Sequence, residues 1–286
     1  YRGEYYFNTE TKNALQFLLD TDKSFYRIEK GYRDVYLNDA LVQGNFGTEA
    51  YLGFTPAGIR DFFYNFHLSE NSPNLNSYRY GLEKKGPLQS LLGVKYFLCR
   101  NDEECSGLNG FSLMHASHGM RIYKNDSVHA FGRMFYRQIS PQNFQNLAPA
   151  DKLSLVPHTV ITNDPVPGVA LYSGANPTTT HQSVPDFTLH SWNQHRFSGT
   201  ITLDQPGILF FPIPFDQGWQ VMVNGKRESL LQLDFGFSGV WLSSAGKQDL
   251  TLCYRPPFML SGLAVSGISL IAVLYLRRRY PIFPAV

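Results

Sequence analysis

Two stretches of this 286-residue chain group side chains that could hold a ligand. Tyr32-Arg33-Asp34-Val35-Tyr36-Leu37-Asn38-Asp39 sets rings, an amide and carboxylates ahead of a glycine-containing loop. Rings stack on the CH faces of sugars, while amides and carboxylates bond to hydroxyls, so Tyr36, Asn38 and Asp39 are the candidate substrate-binding residues. The same composition also suits a loop closed by local Asx turns. The second stretch is Phe215-Asp216-Gln217-Gly218-Trp219, followed by Asn224-Gly225-Lys226. Asp216, Gly218, Trp219, Asn224 and Gly225 read as a structural motif. Trp219 opens a strand and suits a core position better than a ligand platform. Asn224-Gly225 is the strongest hairpin signal in the chain.

Other chemistry is sparse. His115-Ala-Ser-His118 could present two imidazoles, but without a helical frame or an evident third ligand, and no metal site is expected. No serine stands in a GxSxG context, and no glycine run has the phosphate-loop pattern. Carboxylates such as Asp34, Asp39, Glu49, Asp61 and Asp216 are plentiful, yet spacing alone does not pair them. No catalytic residue and no cofactor are expected from these residues. The net charge is +2 with scattered lysines and arginines, which gives no nucleic-acid stripe. Cys99 and Cys105 flank a polar run and either bridge or remain thiols; a bridge requires an oxidising compartment. Cys253 stands alone.

The elements point to an α+β fold. Aromatic residues are 15% of the chain, including 22 Phe and 17 Tyr, a composition that favours β-rich structure. Asn8 or Thr9 caps a helix over 10–19, and further helices are expected at 56–66 and 87–92. Strands are expected at 25–29, 35–37, 94–99, 111–115, 120–124 and 130–136. This helix–strand alternation predicts a mixed α/β domain over residues 1–140. Residues 141–186 are rich in Pro, Asn and Thr and read as an irregular linker. Strands recur from Phe187 onward, at 187–192, 195–203, 207–213, 219–223, 230–233, 239–242 and 249–254. They predict a small antiparallel β-sandwich over 187–257.

The uncharged run Phe258–Leu276 would span ~28 Å as a helix, close to the apolar thickness of a bilayer. Arg277, Arg278 and Arg279 follow, so residues 277–286 are expected in the cytoplasm and the large domain outside. Gly262, Ser266 and Ser269 share one side of this transmembrane helix and suit close approach of another helix. The chain starts at Tyr1 rather than Met, so a fragment lacking its N-terminal part is expected, with upstream transmembrane helices and membrane lipid as partners.

Pro212-Ile213-Pro214-Phe215-Asp216-Gln217-Gly218-Trp219-Gln220-Val221-Met222-Val223-Asn224-Gly225-Lys226 resembles the P-Y-D-x-G-W-x-V-x-V-D-G-K stretch of the YfhO family of bacterial membrane proteins. Phe215 stands for the usual Tyr, and Asn224 for the usual Asp. Phe25-Tyr26-Arg27-Ile28-Glu29 and Leu91-Leu92-Gly93-Val94-Lys95-Tyr96-Phe97-Leu98 are similar to two further family segments. Tyr254-Arg255-Pro256-Pro257, with Gly262 and the membrane helix, resembles its ending. The four matches fall in family order and span most of the chain. The resemblance implies a polytopic relative of glycosyltransferases that use lipid-phosphate sugars and act on cell-envelope polymers such as teichoic acids. It implies a polyprenyl-phosphate sugar donor and a polymer acceptor as partners, with the catalytic carboxylate upstream of this sequence. A non-catalytic, membrane-anchored module that binds or scaffolds envelope polymer is the alternative.

Overall fold

The computed structural model describes residues 8–34, 36–53, 55–68, 77–128, 131–174 and 187–280. Helix Thr9–Thr21 starts where Asn8 Oδ1 accepts the Thr11 N–H at 2.7 Å, satisfying a donor that the first turn leaves open. Its apolar face, Ala14, Leu15 and Leu18, packs on Ile28, Tyr96, Leu98 and Ile122. Those four belong to a sheet in which Arg27–Lys30 runs parallel to Val94–Cys99, with Glu29 opposite Phe97. Met120–Asn125 and Phe111–Ser117 extend it antiparallel. A parallel pair needs a long crossover. Here the crossover carries helices Asp39–Val42, Ala57–Asn65 and Gly86–Leu91 and the strand pair Glu49–Tyr51 with Tyr78–Tyr80.

One expected strand is absent. Val35 lies outside the described residues, and Tyr36 and Leu37 turn into helix Asp39–Val42. The cause is local. The Asp39 carboxylate accepts the N–H groups of Asp34 (2.6 Å) and Tyr36 (3.1 Å) and bends the chain around itself.

From Thr188 onward the chain is mostly strand. One antiparallel sheet joins Thr188–Asn193, Arg196–Leu203, Gly246–Tyr254, Trp219–Val223 and Lys226–Glu228. A second joins Leu230–Leu233, Phe237–Leu242, Gly207–Pro214 and Arg133–Phe135. Phe197, Ile201, Val221, Leu250 and Leu252 of the first meet Leu209, Phe211, Ile213, Val240 and Met134 of the second in one cluster. Alternate residues of Arg196–Leu203 are buried, whereas Gly207–Ile213 is buried throughout. The other face of that strand explains why: Ile208 and Phe210 enter a second core with Phe62, Phe135, Phe144 and Phe237. A strand covered on both faces reads as an unbroken apolar run, as GILFFPI does.

The core therefore crosses the boundary expected at residue 140. Arg133–Phe135 hydrogen-bonds to Gly207–Pro214. The described part of the expected linker holds helices Pro141–Gln145 and Pro149–Leu155 and strands Val160–Ile161 and Ala170–Leu171. Pro141 and Pro149 open helices at the first turn, where no N–H is needed. Helix Ala57–Asn65 rests on the second sheet through a glycine pair. A Cβ on Gly58 would lie 2.4 Å from Phe235 O, and one on Gly236 would lie 2.4 Å from Gly58 C. Arg27 also ties the halves together: its buried guanidinium donates to Leu92 O (2.5 Å) and Pro212 O (2.6 Å).

Among the described residues one helix, Met259–Arg279, is long and apolar enough to cross a membrane; it leaves the last strand with none of its length buried and a mean hydropathy of 2.1 over its most apolar 18 residues. Its length, ~31 Å, suffices to cross a bilayer. Arg277, Arg278 and Arg279 occupy its last turn, where cations complement the helix dipole.

Candidate functional site

A cavity rich in polar groups lies at the carboxyl end of strand Arg27–Lys30. A cleft of about 170 Å³ is lined there by Glu29, Lys30, Gly31, Glu49, Tyr80, Gly81, Leu82, Glu83, Lys84 and Phe97. Carboxyl ends of parallel strands are a common place for ligands, because the crossover chains diverge there.

Each wall has a local cause. Glu29 forms the floor. It accepts from Leu82 N–H at 2.9 Å, Gln89 Nε2 at 2.6 Å and Thr48 Oγ1. Burial raises its pKa, against the pull of those three donors. Glu49 is raised by burial as well, opposed by Arg33, which holds it bidentately at 2.6 and 2.9 Å. The Arg33 guanidinium also lies 5.2 Å from the Tyr80 ring centre. The third wall is a tight left-handed turn: Gly81, Glu83 and Lys84 have φ of +82°, +51° and +56°. Two non-glycine residues in that region signal a backbone held by its surroundings. The holding groups are visible. Lys84 Nζ donates to Glu104 O (2.9 Å) and Ser106 O (2.7 Å), and Lys85 Nζ donates to His67 O (2.7 Å). Glu83 Oε1 is buried and accepts no hydrogen bond from the described residues. Cys99 and Cys105 are disulfide-bonded with Cα atoms 5.4 Å apart. The turn they close packs on Gly31, where a Cβ would lie 2.7 Å from Glu104 O.

The loop singled out from sequence flanks this cleft, and its polar groups point inward. The Asp39 carboxylate bonds Lys30 Nζ at 2.8 Å besides the two backbone N–H groups. Burial alone would raise its pKa, but Lys30 and the Asp34 and Tyr36 N–H groups together hold it below the usual carboxylate range. Asn38 mimics a strand partner: its Oδ1 accepts Tyr51 N–H and its Nδ2 donates to Tyr51 O, both at 2.8 Å. Tyr36 is exposed, and the Tyr80 hydroxyl on the cleft wall is near enough to raise its pKa. The structure thus brings Tyr36 to the cleft, while Asn38 and Asp39 fix the loop that carries it. Glu29, Glu83 and Phe97 were not singled out. A glutamate inside the alternating FYRIE strand was the available signal for the first.

The remaining sequence candidates hold the scaffold. Asp216 Oδ1 accepts Gly218 N–H at 2.7 Å, and Gly218 O accepts Arg255 N–H at 2.9 Å. A Cβ on Gly218 would lie 2.6 Å from Arg255 O. Half-buried Trp219 packs on Phe197 and Tyr254 at the rim of the sheet-to-sheet core. Asn224 and Gly225, at φ +50° and +78°, form the two-residue turn between Val223 and Lys226. Away from these, His115 stacks on Phe17 at 4.1 Å, and His118 Nδ1 pairs with Ser117 Oγ at 2.6 Å. Both histidines line a second cavity of about 230 Å³ with Glu10 and Asn13.

Residues 1–184 and 172–266 match the family described as "Bacterial membrane protein YfhO". The chain belongs to the YfhO family. A curated member, the "Uncharacterized protein YfhO" of Bacillus subtilis (strain 168), is 32% identical over 92 residues. That alignment covers 32% of this chain and 11% of the relative, so the chain matches only a small part of the relative's length. Among solved structures, a cryo-EM structure of the mycobacterial arabinofuranosyltransferase AftD is similar over 36% of this chain and 8% of that chain. Its TM-score is 0.27 at 15% identity, too slight a likeness to bear on function. Family membership and the apolar helix Met259–Arg279 make this YfhO-family chain part of a membrane protein.

Proposed function

We propose that this chain is the extracytoplasmic C-terminal portion of a polytopic, glycosyltransferase-like membrane protein that modifies a cell-envelope polymer such as teichoic acid. In this reading the transfer chemistry lies upstream, on membrane helices that pack against Met259–Arg279. The soluble part holds a sugar of the polymer acceptor or of the polyprenyl-phosphate donor. The observation that carries the reading is the cleft: rings at Tyr80 and Phe97 beside Glu49, Lys84 and a buried Glu83 oxygen that has no donor among the described residues. Rings suit the CH face of a pyranose, and an unpartnered buried acceptor is stabilised by a ligand hydroxyl. Tyr36 extends the aromatic wall, with Asn38 and Asp39 holding its loop. The arginines at the end of the membrane helix support an outside domain, as does the Cys99–Cys105 bridge, which suits an oxidising compartment.

The test is sugar transfer by the whole protein from a polyprenyl-phosphate sugar to purified envelope polymer. Glu83→Gln and Tyr80→Ala should each raise the KM for the partner held in the cleft about ten-fold, equivalent to ~1.4 kcal/mol, with kcat little changed. Unchanged KM for both partners removes the cleft from the reading. Polymer binding that depends on Tyr80, in a whole protein that transfers no sugar, selects the scaffold alternative instead.

A further inference from the structure

The segment after strand Arg27–Lys30 folds an ion cluster inward around Lys30 Nζ: Asp39, 5% exposed, lies 2.8 Å from the amine and Asp34 lies 3.3 Å from it. Leu37 is buried with them, but the apolar side chains that follow turn outward. Leu41 is 76% exposed, and Val42, Phe46 and Leu52 are exposed with it. Isolated exposed apolar residues need no explanation, whereas several within a few positions of a buried ion cluster do. The short helix Asp39–Val42 has Asp39 as its inward anchor and Leu41 and Val42 as its outward residues. Asn45 N–H closes the next turn on Ala40 O at 3.0 Å, so the patch is held in shape.

Its position identifies what covers it. Phe46 lies 5.8 Å from Trp192, another exposed aromatic residue. Trp192 stands opposite Phe197, and Phe197 stands opposite Leu252. Two residues beyond Leu252 the strand ends at Tyr254, whose N–H donates to His195 O in the hairpin next to Trp192. A tight turn, with Met259 N–H on Pro256 O, then starts the membrane helix. The end of the sheet that carries Trp192 and Phe46 is therefore the end from which the chain enters the bilayer. Aromatic and aliphatic side chains at that level occupy the interfacial zone.

We propose that Leu41, Val42, Phe46 and Trp192 form a lipid-contacting seat, which rests the soluble part on the membrane surface beside helix Met259–Arg279. The seat depends on membrane attachment and not on sugar transfer, so it stands or falls separately from the function proposed above.

The experiment uses the protein in lipid nanodiscs, with Cys253 and other free thiols replaced by serine and the Cys99–Cys105 bridge intact. Spin labels are placed singly at Leu41→Cys and Val42→Cys, and at Leu113→Cys, an exposed position on the sheet that does not lead into the membrane helix, as the reference. Collision with oxygen, which partitions into lipid, is compared with collision with a water-soluble nickel chelate. Both seat positions should show an oxygen-to-nickel ratio several-fold above that at Leu113. A ratio equal to that at Leu113 would leave the patch in water and overturn the proposal. Low collision with both reagents would also overturn it, because the patch would then be covered by protein.

Discussion

The loop around Asp39 and the turn around Asp234 each bury a carboxylate, with opposite results. Asp39 meets Lys30 and two backbone N–H groups and stays below the usual carboxylate range. Asp234 has the Ile161 N–H at 2.7 Å as its described donor, and burial pushes it up to about 7. The first lies in a segment that pairs its carboxylates with Lys30 inside and leaves Leu41, Val42 and Phe46 exposed. The second lies in a region whose strands are apolar inside and polar at their edges. Burial is thus compatible with either protonation state; the number and charge of the donors decide which one the fold keeps.

Four measurements sharpen or break that contrast. The C-terminal region should be the more sensitive to lost volume. Phe211, 0% exposed between Phe131 and Phe187, should cost roughly 3–5 kcal/mol on replacement by alanine in thermal or denaturant unfolding. A loss below about 1 kcal/mol would mean that the two sheets do not share one packed core.

The Asp234 contribution has a definite sign. Its folded value is raised, so the protonated form adds stability that is complete below about pH 4 and is lost as the pH rises through about 7. A shift of that size corresponds to at most ~4 kcal/mol at one site. Asp234→Asn should remove that part of the pH dependence and unfold later than wild type at pH 8. A variant with an unaltered stability-versus-pH curve would show that Asp234 titrates normally. Asp39 runs the other way, since its folded value is lowered: its contribution is present above the ordinary carboxylate value and is lost on acidification.

Asp39→Ala should cost about 2–4 kcal/mol, because Lys30 would keep only Asp34, at 3.3 Å, as an ionic partner. Full stability of that variant would return Asp39 to the set of residues free to meet a ligand. The smallest effect should be Leu41→Ala in detergent, within about 0.5 kcal/mol of wild type, since the side chain has little protein to leave. A larger loss there would mean that the outward patch is part of the core.

The contrast also governs what could be read from the sequence. Strands Val94–Cys99, Trp219–Val223 and Leu230–Leu233 lie where their apolar patterns placed them, because a long buried or half-buried strand writes its period into residue type. The mixed α/β character and the membrane helix were legible for the same reason. Strands Val160–Ile161 and Ala170–Leu171 are two residues long and leave no period. Their place depends on Gln138, whose side chain bonds Val166 N–H, Val166 O and Val169 O from within the core. The polar loop was found by composition, since Asn38 and Asp39 are the residue types that bind sugars and also those that close turns. Direction is what composition lacks. Asp39 faces Lys30 because strand Arg27–Lys30 delivers an amine beneath the loop, a fact fixed by long-range folding. Glu29 and Glu83 escaped for a related reason: their cleft forms only when residues 29–31, 49, 80–84 and 97 converge.

The Arg27 clamp sets a timetable for the ribosome's product. Its guanidinium waits for two carbonyls, one of them 185 residues downstream at Pro212, and Gly207–Pro214 must also arrive before Arg133–Phe135 has an edge to join. Until residue 212 is made, the chain therefore carries an arginine without its distal carbonyl partner and an uncovered apolar face. Both are resolved together, shortly before the membrane helix itself is made. Premature termination anywhere between residues 140 and 207 should leave a sticky, protease-sensitive product instead of a smaller stable domain.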